Sequence, residues 1–297
     1  MVRKIFIQVS VVFFLLHTTS LCAQDAADVH DGNTASTADL AQAAANPIAN
    51  MISLPLQFNF NFNQGPFDRY GTVLNLQPVL PFKLTKKWNV VTRTIIPILQ
   101  IPDVYSTSGS TSGLGNINFN TFFVPPAAGI FTYGFGVSMI IPTATAPELG
   151  GDAFGIGPTV VALVMPKPWV IGFTAGYTFA YKSPDGSDAL SSFFGQYFIT
   201  YNLKNGWNIS TGPTITGNFN APEGEQWVVP VGAGVGKLMN FKGIKAPIKF
   251  SLQYYYNVVQ ASQTPGTEII DLAHDPLQPM GNANQSLVFY ITFLFPR

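Results

Sequence analysis

Hydrophobic and small or polar positions alternate one by one through residues 166–188, PKPWVIGFTAGYTFAYKSPDGSD. Trp169, Ile171, Phe173, Ala175, Tyr177, Phe179 and Tyr181 share one side, and Val170, Gly172, Thr174, Gly176, Thr178, Ala180 and Lys182 share the other. Successive side chains point to opposite faces of a β-strand, so this period of two predicts a strand with one apolar, aromatic face. A soluble half-buried strand is usually only ~5–6 residues long. A strand crossing a bilayer needs about 9–11 tilted residues, apolar toward lipid and aromatic at both interfaces. The same unit repeats from residue 51 onward and predicts twelve strands: 52–63, 70–82, 88–99, 115–124, 130–142, 155–165, 169–182, 191–203, 207–219, 226–238, 247–259 and 284–295. In the first, Leu54, Leu56, Phe58, Phe60 and Phe62 alternate with Gln57, Asn59, Asn61 and Asn63. The expected fold is all-β, a transmembrane antiparallel β-barrel of about twelve strands. An even count closes the sheet and removes edges that lipid would not tolerate.

The connections fall into two alternating sets. One is mostly tight (83–87, 125–129, 166–168, 204–206, 239–246) and the other mostly longer (64–69, 100–114, 143–154, 183–190, 220–225, 260–283). Charge follows the same division. All eleven acids beyond residue 49 lie in the longer set, whereas Lys83, Lys86, Lys87, Lys167, Lys204, Lys237, Lys242 and Lys245 lie in or beside the tight set. Short periplasmic turns and longer outer loops would give this pattern. Trp88, Trp169 and Trp207 each open a strand directly after a tight turn, as an aromatic girdle at that interface would, with Trp227 at the opposite rim. Pro55, Pro78, Pro97, Pro142, Pro158, Pro213 and Pro230 fall in or at the ends of these strands. Each lacks a ladder donor, so bulges, bends or shifted boundaries are expected there.

Upstream, residues 1–23 carry Arg3 and Lys4, an apolar run from Ile5 to Leu16 and then small residues. They read as a secretory signal cleaved after Ala23, which sends the chain to the envelope of a Gram-negative-type bacterium. The rival is a lipoprotein signal acylated at Cys22, but Leu21 fits poorly before such a cysteine. Residues 24–49 form an Ala- and Asp-rich N-terminal segment, with two turns of helix expected over 37–45 and Pro47 beyond them. The segment is either a disordered terminus or a plug or lid. In the second case Asp25, Asp28, Asp31 and Asp39 would meet the lysine-bearing short-turn rim through salt-screened charge pairs. The barrel itself is expected over 50–297.

Composition narrows the class further. Hydrophobic residues make up 47% of the 297-residue chain and charged residues only 10%. That is too few charges for an ordinary soluble surface. Formal net charge is zero, so there is no basic footprint for nucleic acid. The single cysteine, Cys22, lies in the signal, leaving no disulfide or thiol chemistry downstream.

Several segments resemble the bacterial outer-membrane barrels that carry the misleading label "neuromedin U" proteins, and more distantly the MetA-pathway phenol-degradation proteins, often described as transporters. The segments are NPIANMISLPLQFNFNFN (46–63), LNLQPVLPF (74–82), WNVVTRTIIPI (88–98), GLGNINFN (113–120), GPTVVALVMPKPWVIG (157–172), VPVGAGVGK (229–237) and QYYYNVV (253–259). The resemblance implies an outer-membrane barrel and points to transport, and it brings no functional residues with it. One departure is that Pro296 and Arg297 follow Phe295, where barrels usually end in an aromatic residue read by the assembly machinery.

Catalytic and metal chemistry finds little footing. His274 lies between Asp271 and Asp275, but no third ligand accompanies it at a recognisable spacing, and a solvated loop histidine explains it. A lipid-cleaving barrel needs a Ser and a His near the outer rim, and no predicted strand contains a His. Gly232–Lys237 lacks both the first Gly and the final Ser or Thr of a phosphate loop. No cofactor and no metal are expected. The acidic loops are either plain solvated charge or bridges through divalent cations to lipopolysaccharide.

The inward face carries the functional reading. Lumen-lining candidates are Gln57, Asn59, Asn61, Asn75, Gln77, Arg93, Asn118, Lys182, Gln196, Lys249, Gln253 and Tyr255. Pore selectivity follows width and lining charge, and a neutral amide lining suits small, mostly neutral or weakly aromatic solutes. The leading expectation is a porin-like outer-membrane channel or transporter contacting lipid, lipopolysaccharide, solute and the barrel-assembly machinery. A closed structural or surface-binding barrel is the alternative, because side chains fill an eight-stranded barrel while sixteen strands leave a channel. An outer-membrane enzyme comes third.

Overall fold

The structure, a computed structural model, describes residues 37–104, 106–125, 130–180, 191–221, 223–244, 246–260 and 283–296. The signal, Asp25, Asp28, Asp31, His30, Lys182, Lys245 and most of the loops that hold Asp185, Asp188, Glu268, Asp271, His274 and Asp275 lie outside the described residues.

Twelve strands follow one short helix. The helix α1 spans Thr37–Ala44. The strands are β1 (Ile52–Gln64), β2 (Arg69–Leu76 continuing as Val79–Lys83), β3 (Asn89–Pro102), β4 (Ser110–Leu114 continuing as Ile117–Val124), β5 (Phe131–Ile141), β6 (Gly155–Val164), β7 (Trp169–Phe179), β8 (Ser191–Asn202), β9 (Trp207–Thr211 continuing as Thr214–Asn218), β10 (Trp227–Met239), β11 (Ile248–Val259) and β12 (Ala283–Phe295). Each pairs antiparallel with its neighbours in sequence, and β1 pairs with β12 from Ile52↔Phe295 to Gln64↔Ala283, which closes the sheet into a barrel.

The alternation seen in the sequence sorts the two faces. Phe60, Phe135, Phe173, Ile209, Val235 and Tyr256 are exposed on the outside, while Asn118, Thr159, Thr178, Asn208 and Ser251 are buried inside. The β8–β9 turn shows how tight connections are encoded. Asn205 and Gly206 both take positive φ (57° and 76°), the conformation that Asn-Gly supplies with least strain, and Leu203 N–H donates to the Trp207 carbonyl at 2.8 Å.

The prolines divide by context. Pro78 and Pro213 fall where β2 and β9 are interrupted, and the β10–β11 register shifts between Val229 and Pro230. Pro55, Pro97 and Pro158 stay within strands whose register does not shift beside them, and the carbonyls of Pro55 and Pro97 accept from Gln77 and Gly115 N–H at 2.9 Å each. A proline is tolerated in a ladder when the position that it empties is a donor rather than an acceptor.

Candidate functional site: the barrel interior

The interior is layered along the barrel. Near the short-turn end, one arc of the inner wall is apolar: Val79, Val91, Phe122, Val124, Leu163 and Val170 form a buried cluster. Ile48, from the segment before β1, packs into this cluster. Ala41 and Met51 pack with Leu238 of β10 and Leu294 of β12. On the other side of the mouth, Gln42 Nε2 donates to the carbonyls of Met165 (3.2 Å) and Trp169 (3.1 Å), and Asn202 Nδ2 donates to Gln42 Oε1 (3.3 Å). Residues 41–51 therefore touch the wall at the short-turn mouth on both sides, the β6–β8 side through Gln42 and the β10–β12 side through Ala41 and Met51. Among the described residues one ion pair links this segment to the rim, Asp39–Lys167 at 2.6 Å, and both side chains are well exposed. Within the described part of the segment the attachment is largely apolar and amide-based; the expected pairing of Asp39 with a rim lysine is present, and Asp25, Asp28 and Asp31 lie outside the described residues.

The middle layer is a belt of linked polar side chains. Arg93 on β3 donates to Gln77 Oε1 on β2 at 2.7 Å and to Gln196 Oε1 on β8 at 3.4 Å. Five strand positions separate β3 from β8 in a ring of twelve, so the second bond crosses the lumen. Gln77 Nε2 donates to Gln57, whose own Nε2 donates to Asn59 Oδ1 at 2.8 Å. Beyond Gln196 the belt continues, because Gln196 Nε2 donates to the Gly212 carbonyl (2.9 Å) and Gly212 N–H donates to the Tyr255 hydroxyl (3.0 Å). Tyr255 donates in turn to Gln253, which donates to Ser210, both at 2.9 Å. Side-chain networks of this kind hold their members in one geometry only while every member is satisfied.

Two small cavities lie in the interior and share Thr214 in their linings. One of about 50 Å³, counted as space open to the centres of water molecules, is lined by Gln57, Asn59, Asn61, Pro213, Tyr255 and Tyr290, among others. The other, of about 20 Å³, lies against Arg93, Ile95, Asn120, Phe122, Phe194 and Gln196. A single water needs roughly 10–15 Å³ by this measure, so the first cavity has room for a few waters, the second for about one, and neither is a wide pore.

The remaining predicted positions divide between the interior and the rims. Asn75 is buried, and Asn118 accepts from Asn120 and donates to Ser138 Oγ at 3.2 Å. Lys249 stands on the same face of β11 as Ser251, Gln253 and Tyr255. At the short-turn end, Trp88 meets Phe135 edge-on (5.7 Å), Trp169 meets Tyr201 (4.6 Å), and Lys237 sits 4.8 Å above the Trp207 ring. At the long-loop end Trp227 contacts Phe193 and Phe219 at 5.7 and 5.5 Å.

Sequence reasoning missed a second narrowing, at the long-loop end. The loop after β5 folds inward, and Leu149 is buried against Val73 and Leu99. Asn116 fixes it. Its Oδ1 accepts from Thr143 and Ala144 N–H at 3.1 Å each, and its Nδ2 donates to the Gly151 carbonyl at 2.7 Å. The available signal was the apolar content of the loop, in which Ala144 and Ala146 accompany Leu149.

With this interior in view, the family can be stated. The family described as "Putative MetA-pathway of phenol degradation" matches residues 41–268. The chain belongs to that family. The match begins at Ala41, so it includes the stretch that touches both sides of the mouth. No curated protein sequence matches the chain. Among solved structures, an outer-membrane channel from Pseudomonas putida F1 is similar at 12% identity with a TM-score of 0.58, covering 90% of this chain and 100% of that one. The NanC porin is similar at 10% identity (TM-score 0.47, covering 83% and 100%). The β-domain of the Bordetella autotransporter BrkA is similar at 12% (TM-score 0.48, covering 84% and 100%). This member of the family is thus an outer-membrane β-barrel of a Gram-negative-type bacterium, with the fold of an outer-membrane channel.

Proposed function

We propose that the protein is a passive channel for small, mostly neutral or weakly aromatic solutes, and that residues 24–49 act as a plug at its short-turn mouth. The observation that carries the reading is the layered interior. A polar belt provides bonding partners for a solute in transit, and the closures on either side of it are made of side chains and short segments rather than of the barrel wall. The inward strand positions include Arg93 and Lys249 but no Asp or Glu, and the belt around Arg93 is mostly amide and hydroxyl. A lining of this kind favours neutral solutes or weak acids over cations. The family's description, which refers to phenol degradation, is in keeping with a weakly aromatic solute. Lipid, lipopolysaccharide and the barrel-assembly machinery are the further partners of such a channel.

Single-channel recording of the refolded protein lacking residues 1–23 tests this. The expected result is small, discrete conductance steps. A barrel that inserts into the bilayer and passes no current, with or without residues 24–49, would instead favour the closed structural alternative.

A further inference from the structure

The barrel keeps charge off its outer wall, with one exception. Among the described residues its strands carry charge at Arg69, Lys83, Arg93, Lys237 and Lys249. Arg93 and Lys249 face the interior, and Arg69 and Lys83 stand at strand ends. Lys237 is different. It lies within β10 in the outward row Val231, Ala233, Val235, Lys237, and Val231 and Val235 are exposed.

Its surroundings are aromatic and basic. Lys237 pairs with Trp207 of β9 on one side and with Phe250 of β11 on the other. Its Nζ sits over the Trp207 ring, and Phe250 meets Phe241 edge-on at 6.3 Å. Trp88 and Trp169, at the same end of the barrel, are instead covered by Phe135 and Tyr201. Each of the two turns beside Lys237 adds an exposed lysine, Lys204 between β8 and β9 and Lys242 between β10 and β11. The first of these turns leans on the end of β10, because a Cβ added at Gly206 would come within 2.6 Å of the Leu238 carbonyl oxygen. Exposed Leu203, Phe241 and Ile244 interleave with the lysines. No acid is close in sequence: residues 189–222 and 226–267 contain neither Asp nor Glu. The ion pair found among the described residues, Asp39–Lys167, belongs to a different turn.

We infer that Trp207, Lys237, Lys204 and Lys242 form a binding site for the phosphate of an anionic glycerophospholipid in the leaflet that meets the short turns. The inference rests on the membrane placement of the barrel and not on the channel reading, and it gives general lipid contact a location and a headgroup charge. A lysine on the lipid-facing wall is tolerated near the interface when its ammonium has a counter-charge to meet. The Trp207 ring holds that ammonium by cation–π attraction and leaves its N–H groups free for phosphate oxygens. Tryptophan itself favours the headgroup level. Lys204 and Lys242 add attraction for anionic lipid, which falls off within a Debye length. A zwitterionic headgroup would bring its own ammonium to a rim that is already positive, so a net negative headgroup is preferred. The acyl chains then run along Ile209 of β9 and Val235 and Val231 of β10, all exposed and apolar.

Native mass spectrometry tests the site on the refolded protein lacking residues 1–23, in micelles that contain phosphatidylglycerol or phosphatidylcholine with identical acyl chains. The expected result is that a phosphatidylglycerol molecule stays bound when the micelle is stripped away and phosphatidylcholine does not. Lys237→Gln should weaken that retention by about tenfold or more, the effect of losing one charge-assisted contact. Lys237→Arg, which keeps the charge, should hold the lipid, and Lys86→Gln with Lys87→Gln, at another turn of the same rim, should leave retention unchanged. Circular dichroism shows which variants have folded, and Lys204→Gln with Lys242→Gln, also expected to weaken retention, is the second test if Lys237→Gln does not fold. Excess inorganic phosphate should leave the lipid in place, because the acyl chains hold it too. Equal retention of the two lipids, or equal retention of phosphatidylglycerol by the glutamine variants and the unaltered protein, overturns the site and leaves an unselective lipid coat. Displacement by inorganic phosphate overturns the lipid as the ligand and assigns the lysines to free phosphate. None of these readings depends on conductance, so failure of the site and failure of the channel reading are separate results.

Discussion

Arg93 is the residue on which the interior turns, because it is bonded both to the wall beside it and to the wall across from it. Replacing it with Ala removes the cross-lumen bond and enlarges the cavity that Arg93 lines, so single-channel conductance should rise. The change also leaves Gln77 and Gln196 short of a donor, and an unsatisfied buried polar group costs about 1–3 kcal/mol. The variant should therefore lose some resistance to heat or denaturant while keeping its β-rich circular dichroism. Unchanged conductance in Arg93→Ala would mean that the bridge is not the constriction. Parity along single strands puts Gln77, Arg93 and Gln196 on one face each. It does not say that Arg93 and Gln196 meet, because that depends on the width of the closed ring, and width emerges only when strand number and stagger are both set.

At the scale of elements, the segment before β1 and the loop after β5 narrow opposite ends by different means. Ile48, Ala41 and Met51 are held by apolar burial, which salt does not screen, whereas the exposed Asp39–Lys167 pair contributes only ~0–1 kcal/mol and is screened. Asp39→Asn should leave channel behaviour nearly unchanged between low and high ionic strength. Ile48→Asp, which puts an unpaired charge into the apolar cluster, should release the segment and raise conductance. Strong salt dependence in the unaltered protein that Asp39→Asn abolishes would restore the charge-pair account. At the other end, Asn116→Ala deprives the Thr143 and Ala144 N–H groups of their acceptor. The 142–154 loop should then become a site of rapid limited proteolysis, and an unchanged digestion rate would show that Leu149 alone holds the loop.

The strands were legible because a lipid-facing strand has few places for a polar residue on its outer face, so apolar side chains recur at every second position through most of the barrel. The helix over 37–44 was equally readable from its Ala-rich composition and the proline after it. The chemistry of its docking was not. Asp39 and the rim lysines are conspicuous in a chain with few charges, whereas Ile48 and Met51 look like ordinary residues of a linker until the apolar clusters opposite them are known. The break in pairing between β9 and β10 was half legible. Pro213 and Pro230 stood out as misfits in their strands, but only the register reveals that both lie within one unpaired stretch, residues 211–215 against 229–233.

At the scale of the whole molecule, we propose that the acid-bearing loops face the outside and the lysine-bearing turns the periplasm. A cysteine at Glu223 should react with an impermeant thiol reagent on intact cells, and one at Lys167 or Lys204 should react only after the outer membrane is opened. Equal labelling of the two ends on intact cells would refute the orientation.

This barrel is proposed to be a channel closed at its short-turn mouth by its own N-terminal segment. Single-channel conductance of the refolded protein, measured with and without residues 24–49, decides between a plugged and an unplugged channel. A larger and steadier conductance is expected for the truncated protein, with the circular dichroism of the barrel intact in both. Identical conductance from the two proteins, or none from either, would contradict it.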